Sequence, residues 1–262
     1  MLFGWHGFQL EHPDDWAPTT LTGNRTEGYA RLASPDTLSG QVRWKTAKAS
    51  TDLRAILDGY LNRLASDAKK QKITFDSDVN SQSDRIDYEW SGKGRGSGSL
   101  IYLEHCSRAF FIEASATNNR SVQGAHRSLL NSFTAGEGEM DVWAVFGLAV
   151  QTPRDLVVGK HTFQSGRTRL EFRHRRGQVI TERWGFAEQI LRRHSFADWA
   201  AAALEMPLGG LTEEEDGVRI FKGGLLRSTY GLAQYQRERN QLVILKVASR
   251  SEDWRPTWDW LL

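Results

Sequence analysis

The stretch GFQLEHPDDW, residues 7–16, is answered by GLAVQTPRDL at residues 147–156. In both, a glycine leads an apolar-x-apolar alternation, then two polar residues, Pro-x-Asp and a large apolar residue. The offset is 140 residues in a chain of 262. Self-similarity at a fixed offset is the first thing to settle, because it decides whether one large domain or two of half the length is being read.

Two further blocks recur in the same order. Gly28–Leu32 and Gly166–Leu170 both read G-x-x-R-L at an offset of 138, and Arg43-Trp44 faces Arg183-Trp184 at 140. On that alignment the second half has a loop two residues shorter and then a hairpin two residues longer. Each block alternates as a strand does. An apolar stripe follows at Leu53, Ile56, Leu57, Tyr60, Leu61 and Leu64, the spacing of a helix. Asp52 or Thr51 supplies its cap. In the second half Ser195 and Asp198 resemble a capping box ahead of Phe196, Trp199, Ala200 and Ala203, and residues 187–194 read equally as helix or loop. Three strands follow in each half, at 85–90, 100–104 and 109–115, then at 218–221, 232–236 and 242–247. Each half closes on a short amphipathic segment, Val122 to Phe133 and EDWRPTWDWLL.

The expectation is therefore an α+β chain of two tandem, diverged copies, residues 1–135 and 141–262. A Gly/Glu-rich linker at 134–142 joins them. Each copy has the order βββ-α-βββ-α and folds as an α/β/α sandwich around an antiparallel sheet of about six strands.

The opening G-F-x-x-x-x-P-x-x-W, followed by the G-x-x-R-L strand, the R-W strand and the amphipathic helix, resembles the PsbP-like superfamily. That group includes the photosystem II extrinsic PsbP proteins, Mog-type Ran-binding factors and the Eag chaperones of type VI secretion. The likeness runs through residues 1–135 in element order and more weakly through 141–262, where Leu156 replaces the tryptophan. It implies the sandwich fold and a role in holding other proteins rather than in catalysis. The chain departs from plant-type PsbP in lacking a lumenal targeting segment. It departs from the dimeric Eag chaperones in being tandem, so that a monomer would imitate their dimer.

Composition narrows the function classes. The net charge of +2 is too small for bulk attraction to nucleic acid. A single cysteine, Cys106, excludes an internal disulfide and fits a reducing compartment. No apolar run reaches the ~18 residues of a membrane span, and the opening MLFGWHGFQL lacks the regions of a signal peptide, so a cytoplasmic location is expected.

No cofactor, metal or catalytic constellation is expected. GKGRGSG, residues 92–98, fits neither phosphate-loop nor dinucleotide spacing and reads as a hairpin connection. The seven histidines show no metal-ligand spacing, and His105 and Cys106 are neighbours whose side chains should diverge. Asp14–Asp15 and Glu213–Asp216 read as solvated turns. Glu11, His12, Asp14 and Asp15 look catalytic alone, yet their counterparts are Gln151, Thr152, Arg154 and Asp155.

Two groups could still carry function. Arg173, Arg175 and Arg176 at a hairpin tip would form an anion-binding patch if they converged with Arg192 and Arg193; a solvated turn is favoured. Trp44, Trp90, Trp184 and Trp199 belong in cores. Trp5, Trp143, Trp254, Trp258 and Trp260 lie near copy boundaries and suit an inter-copy interface better than a partner groove. The reading is a non-enzymatic scaffold, adaptor or chaperone for an unknown protein partner. Binding of an anion, RNA or acidic surface through the second copy is the alternative, and an enzyme with a cleft between the copies comes third.

Overall fold

The computed structural model describes all residues except 83, 118–120, 137, 216, 225–226 and 251–253. The chain divides into two compact units, Met1–Glu137 and Gly138–Leu262.

The first unit opens with a hairpin, β1 (Leu2–Trp5) and β2 (Phe8–Glu11). His6 and Gly7 between them take φ of 47° and 79°, the two positive values of a type I′ turn. Beyond it come β3 (Ala17–Gly23), β4 (Glu27–Ala33), β5 (Leu38–Thr46), α1 (Leu53–Lys70), β6 (Asp76–Ser81), β7 (Arg85–Ser91), β8 (Arg95–Leu103) and β9 (Arg108–Ala116). The unit ends with α2 (Gln123–Ser132) and β10 (Thr134–Ala135), which pairs with β2. Strands β3 to β9 form one antiparallel seven-stranded sheet in the order β3-β4-β5-β9-β8-β7-β6. It is two meanders joined along β5 and β9.

The strand register shows which residues share a face. Tyr88, Gly98, Glu113 and Gln41 lie abreast across β7, β8, β9 and β5, and α1 packs on that side. Asp52 caps α1 by accepting from the Ala55 N–H at 2.9 Å. The opposite face carries Val42, Trp44, Phe110 and Ile112 and is covered by the hairpin and α2. There Phe8 meets Trp44, Phe110 and Phe133 with ring centroids 5.1–5.9 Å apart.

The second unit begins with the hairpin β11 (Met140–Val145) and β12 (Leu148–Pro153), turned by Phe146 and Gly147 at φ of 50° and 76°. It continues with β13 (Val157–Gln164), β14 (Arg167–His174), β15 (Gly177–Gly185), α3 (Ala187–Leu191) and α4 (Phe196–Leu204). Four more strands follow, β16 (Leu211–Glu214), β17 (Gly217–Lys222), β18 (Ser228–Gln236) and β19 (Gln241–Ser249). Its sheet order is β13-β14-β15-β19-β18-β17-β16. Helix α4 is capped as expected: the Ser195 hydroxyl oxygen accepts from the Asp198 N–H at 3.1 Å.

The chain is thus a sheet-rich α+β protein built on antiparallel pairing, and several finer expectations change. Each unit has five strands before its first helix and a block of four after it, with the short β10 added at the end of the first unit, and the main sheets have seven strands rather than about six. The additions are β3, β6, β13 and β16, edge strands whose exposed, polar residues hide the alternation. The 134–142 segment is no plain linker, because β10 and β11 occupy most of it. The expected terminal helix of the second unit is a three-residue 3-10 turn, Trp258–Trp260. Pro256 supplies no N–H, and beyond the turn the Leu262 N–H goes to the Ala149 carbonyl at 3.0 Å, so the end lies along β12.

The alignment of the repeat also changes. Bulges interrupt the edge strands between Pro18 and Thr20 and between Val158 and Lys160, an offset of 140. Leu32 therefore corresponds to Phe172, not Leu170. The β4–β5 turn is one residue longer than the β14–β15 turn, so β5 and β15 match at an offset of 139. Trp44 then corresponds to Arg183. Trp44 faces its hairpin, whereas Trp184 faces α4, because a one-residue slip along a strand exchanges faces.

The second half of GKGRGSG belongs to β8 rather than to a hairpin connection, and its two glycines, Gly96 and Gly98, are explained by what crosses them. A Cβ on Gly96 would fall inside the Trp90 indole, and one on Gly98 inside the Tyr88 phenol ring. The two rings lie over β8 to reach β9. Gly98→Ala should therefore cost about 1–3 kcal/mol through overpacking, with Gly124→Ala, at the start of α2 with open space around it, as the control that should be neutral or stabilising by up to about 1 kcal/mol in denaturant titration.

Candidate functional sites

Three places gather polar chemistry. The first is the helix-covered face of the first unit, centred on Glu113. This carboxylate is buried (1% exposed) and accepts from Tyr60 Oη at 2.8 Å, Tyr88 Oη at 2.9 Å, Trp90 Nε1 at 3.2 Å and Gln41 Nε2 at 2.5 Å. The Arg43 guanidinium stands 5.0 Å from the Tyr60 ring centroid. Burial pushes the Glu113 carboxyl above the ordinary glutamate range, and the four donors pull the other way. Burial, then the neighbouring carboxylate, raises both phenols. Every oxygen of Glu113 is engaged, so this cluster ties α1, β5, β7 and β9 together.

The second lies on the other face, under α2. Ser99 Oγ is 2.5 Å from Asp87 Oδ1 and 3.0 Å from His126 Nε2, and His126 Nδ1 is 3.1 Å from Ser97 Oγ. A carboxylate only accepts, so the Ser99 hydroxyl donates to Asp87, which Arg85 also holds at 2.9 Å. Nε2–H then donates to Ser99, and Nδ1 accepts from Ser97. Burial lowers the His126 pKa, in keeping with a neutral ring. The chain of four groups borders a polar cavity of about 360 Å³.

The third is the largest, a groove of about 880 Å³ in the second unit between the sheet and α3–α4. Trp184, Trp199, Ile190, Ala202 and Ala203 give it apolar walls, with the Phe186 ring 58% exposed at its mouth. Phe186 is in the left-handed region at φ 60°, where the chain turns from β15 into α3. Asn240 secures that turn, its side-chain oxygen accepting from the Glu188 N–H at 2.9 Å. The polar side is an arginine ladder around Glu182, a buried carboxylate. Arg167 donates to it from Nε at 2.9 Å, Arg169 from Nη1, and Trp184 from Nε1 at 2.9 Å. The Arg167 guanidinium lies 4.4 Å over the Trp184 ring. Arg193 and His194 complete the rim.

The arginines singled out from the sequence separate. Arg173, Arg175 and Arg176 are at or beside the β14–β15 turn, Arg173 within 3.9 Å of Glu171. Arg193 lines the groove at the far end of the same strands, about eight residues or roughly 26 Å away, and Arg192 is exposed beside it. The two clusters do not converge, because the hairpin that carries the first extends away from the helices that carry the second.

Of the boundary tryptophans, Trp5, Trp143, Trp254 and Trp260 are buried. Trp143 packs on Phe172 at 4.9 Å and donates to Thr152 Oγ1 at 2.9 Å. Trp258 is half-buried, donating to Glu214 at 2.6 Å under the Arg219 guanidinium. Glu213 and Glu214 accordingly belong to β16 rather than to a solvated turn, and Asp216 lies outside the described residues. His105 and Cys106 sit in a 3-10 turn, not on opposite faces of a strand; His105 Nε2 is 2.5 Å from Ala135 O, Cys106 Sγ is 3.7 Å from Leu103 O, and both side chains border Gly136. Among the described residues no three His, Cys, Asp or Glu side chains gather as a metal site, and no helix is long and apolar enough to cross a membrane.

Compared with family models, curated proteins and solved structures, the chain matches none.

Of the groove residues, the sequence assigns Trp184 and Trp199 to a core and gives no site role to Arg167, Arg169, Glu182 or Phe186; Glu113 and its tyrosines likewise carry no site role there. A signal for the latter exists: Tyr88 and Trp90 alternate on one strand while Gly96 and Gly98 alternate on the next, and antiparallel register sets large rings against glycine.

Proposed function

We propose that the chain is a diverged internal duplication of one α/β sandwich, and that it is a non-enzymatic binding protein which holds an extended protein segment in the groove of its second unit. Paired details support the duplication. Both main sheets share one strand order, both edge strands bulge at equivalent residues, and both opening hairpins turn through two residues of positive φ. Ser107 and Asn240 each follow a 3-10 turn in the left-handed region. The next residues, Arg108 and Gln241, each donate to a hairpin carbonyl, Gly7 O at 3.1 Å and Gly147 O at 3.2 Å.

The observation that carries the binding reading is the groove of about 880 Å³, with aromatic walls and a rim of arginine. Its size is within the range of ligand sites, and aromatic walls with a few fixed polar groups suit side-chain recognition. Glu182 and Glu171 neutralise Arg167 and Arg169, and Lys246 pairs with Glu205 at 3.1 Å, so the positive charge left at the rim is that of Arg193, and the ligand side chains are apolar with an acidic neighbour beside it. The Ser97–His126 chain supports no competing acyl-transfer reading. Ser97 is in mid-strand and buried, and its backbone neighbours are committed to the β7 and β9 ladders.

A photo-crosslinking residue at Ala203 in the full chain, expressed in its native cell, should yield a discrete protein adduct. Arg193→Glu should reduce that adduct about tenfold, and the same crosslinker at Lys69, on the exposed side of α1, should give none. Absence of an adduct at 203, or equal yields at both positions, would refute the groove. An adduct to nucleic acid would favour a polyanion site instead.

A further inference from the structure

We propose a second, separate binding site in the first unit: the cavity between the end of α1 and the sheet takes a small apolar monoanion, a compact aromatic or aliphatic body bearing one carboxylate. The cavity encloses about 250 Å³, below the ~300–1,000 Å³ of drug-sized ligand sites, so its occupant has about one ring.

Its two sides differ in chemistry. Leu64 and Ala68 of α1, Phe75 and Trp90 form the apolar side. Arg31, Ser39 and Ser115 form a polar row opposite. Arg31 Nη2 donates to Ser39 Oγ at 3.3 Å, and Ser39 Oγ is 3.2 Å from Ser115 Oγ. Ser39 is buried at 4% exposure, so the row continues from the surface to the cavity floor. Lys93 adds a second cation at the rim. Among the described residues neither Arg31 nor Lys93 meets a carboxylate. The one acid on the lining, Asp67, is held by Lys70 at 2.9 Å. Glu113 does not line the cavity; it lies behind the Trp90 indole, whose N–H it accepts. The site therefore offers an apolar slot with a net positive, hydroxyl-lined end, complementary to a carboxylate on a small hydrophobic body.

The full chain is titrated with 4-fluorophenylacetate and, separately, with 4-fluorophenylacetamide, observed by fluorine NMR. The acid should bind with Kd below about 1 mM and the neutral amide about tenfold more weakly. Arg31→Ala combined with Lys93→Ala, both at exposed positions, should weaken the acid about tenfold and leave the amide unchanged. Ala68→Phe, which fills the slot, should abolish binding of both while circular dichroism reports a folded chain. Equal affinity for acid and amide, binding that survives the filled slot, or no binding of the acid to the native chain would each overturn the site. None of these outcomes bears on the groove of the second unit.

Discussion

Glu113→Ala is expected to destabilise the first unit by about 3–5 kcal/mol. The loss is large because the substitution leaves four buried donors, Tyr60, Tyr88, Trp90 and Gln41, without their acceptor, and each unsatisfied group costs ~1–3 kcal/mol before the site relaxes. Glu113→Gln keeps the shape and one acceptor oxygen and should lose about half as much. The pair also has a pH signature. Burial raises the folded-state pKa of Glu113 above its unfolded value. Between those two values the folded state binds more protons than the unfolded state, so the wild-type contribution declines as pH rises through that window and levels off above it. Glu113→Gln removes the titration. The difference in denaturation free energy between native and Gln chains should then shrink as pH rises from below the ordinary glutamate value, and a difference independent of pH would contradict the assignment.

In the second unit the corresponding large loss falls on Glu182. Glu182→Ala should destabilise that unit by about 2–4 kcal/mol, because it strips the common acceptor from Arg167, Arg169 and Trp184. The figure is set below that for Glu113 because the two arginine side chains are 26–37% exposed and water replaces part of what they lose. The change also frees the Arg167 guanidinium from its place over the Trp184 ring. Hydrogen exchange at the β14 and β15 amides measures the effect directly. Protection unchanged there would show the ladder to be incidental to the fold.

The parts of the fold visible in the sequence are those set by local rules. GFQLEHPDDW and GLAVQTPRDL each form the second strand of an opening hairpin because a two-residue turn and a proline turn bracket the strand. The stripe from Leu53 to Leu64 and the Ser195 cap are visible for the same reason. Arg43-Trp44 against Arg183-Trp184 misled because identical letters outweighed a one-residue difference in the preceding turn, and strand faces respond to one residue. Edge strands such as DSDVNS, residues 76–81, show no apolar alternation because both their faces are wet. The groove was hidden for another reason: β14, β15, α3 and α4 each supply one or two of its residues, and only the packed sheet brings Arg167 beside Trp184. Arg193 alone was named in advance, from a charge run that turned out to be split.

The hydrogen bonds from Arg108 to His6 and Gly7, and from Gln241 to Gly147, have a consequence for the order of events during synthesis. The partners are 101–102 and 94 residues apart in the chain. Each opening hairpin can close its own turn within microseconds. Its final clasp is held by the strand that enters the centre of the sheet last. As the polypeptide leaves the ribosome, the first unit therefore waits for β9, and the second for β19, before its oldest segment is locked. Each unit finishes folding where it began.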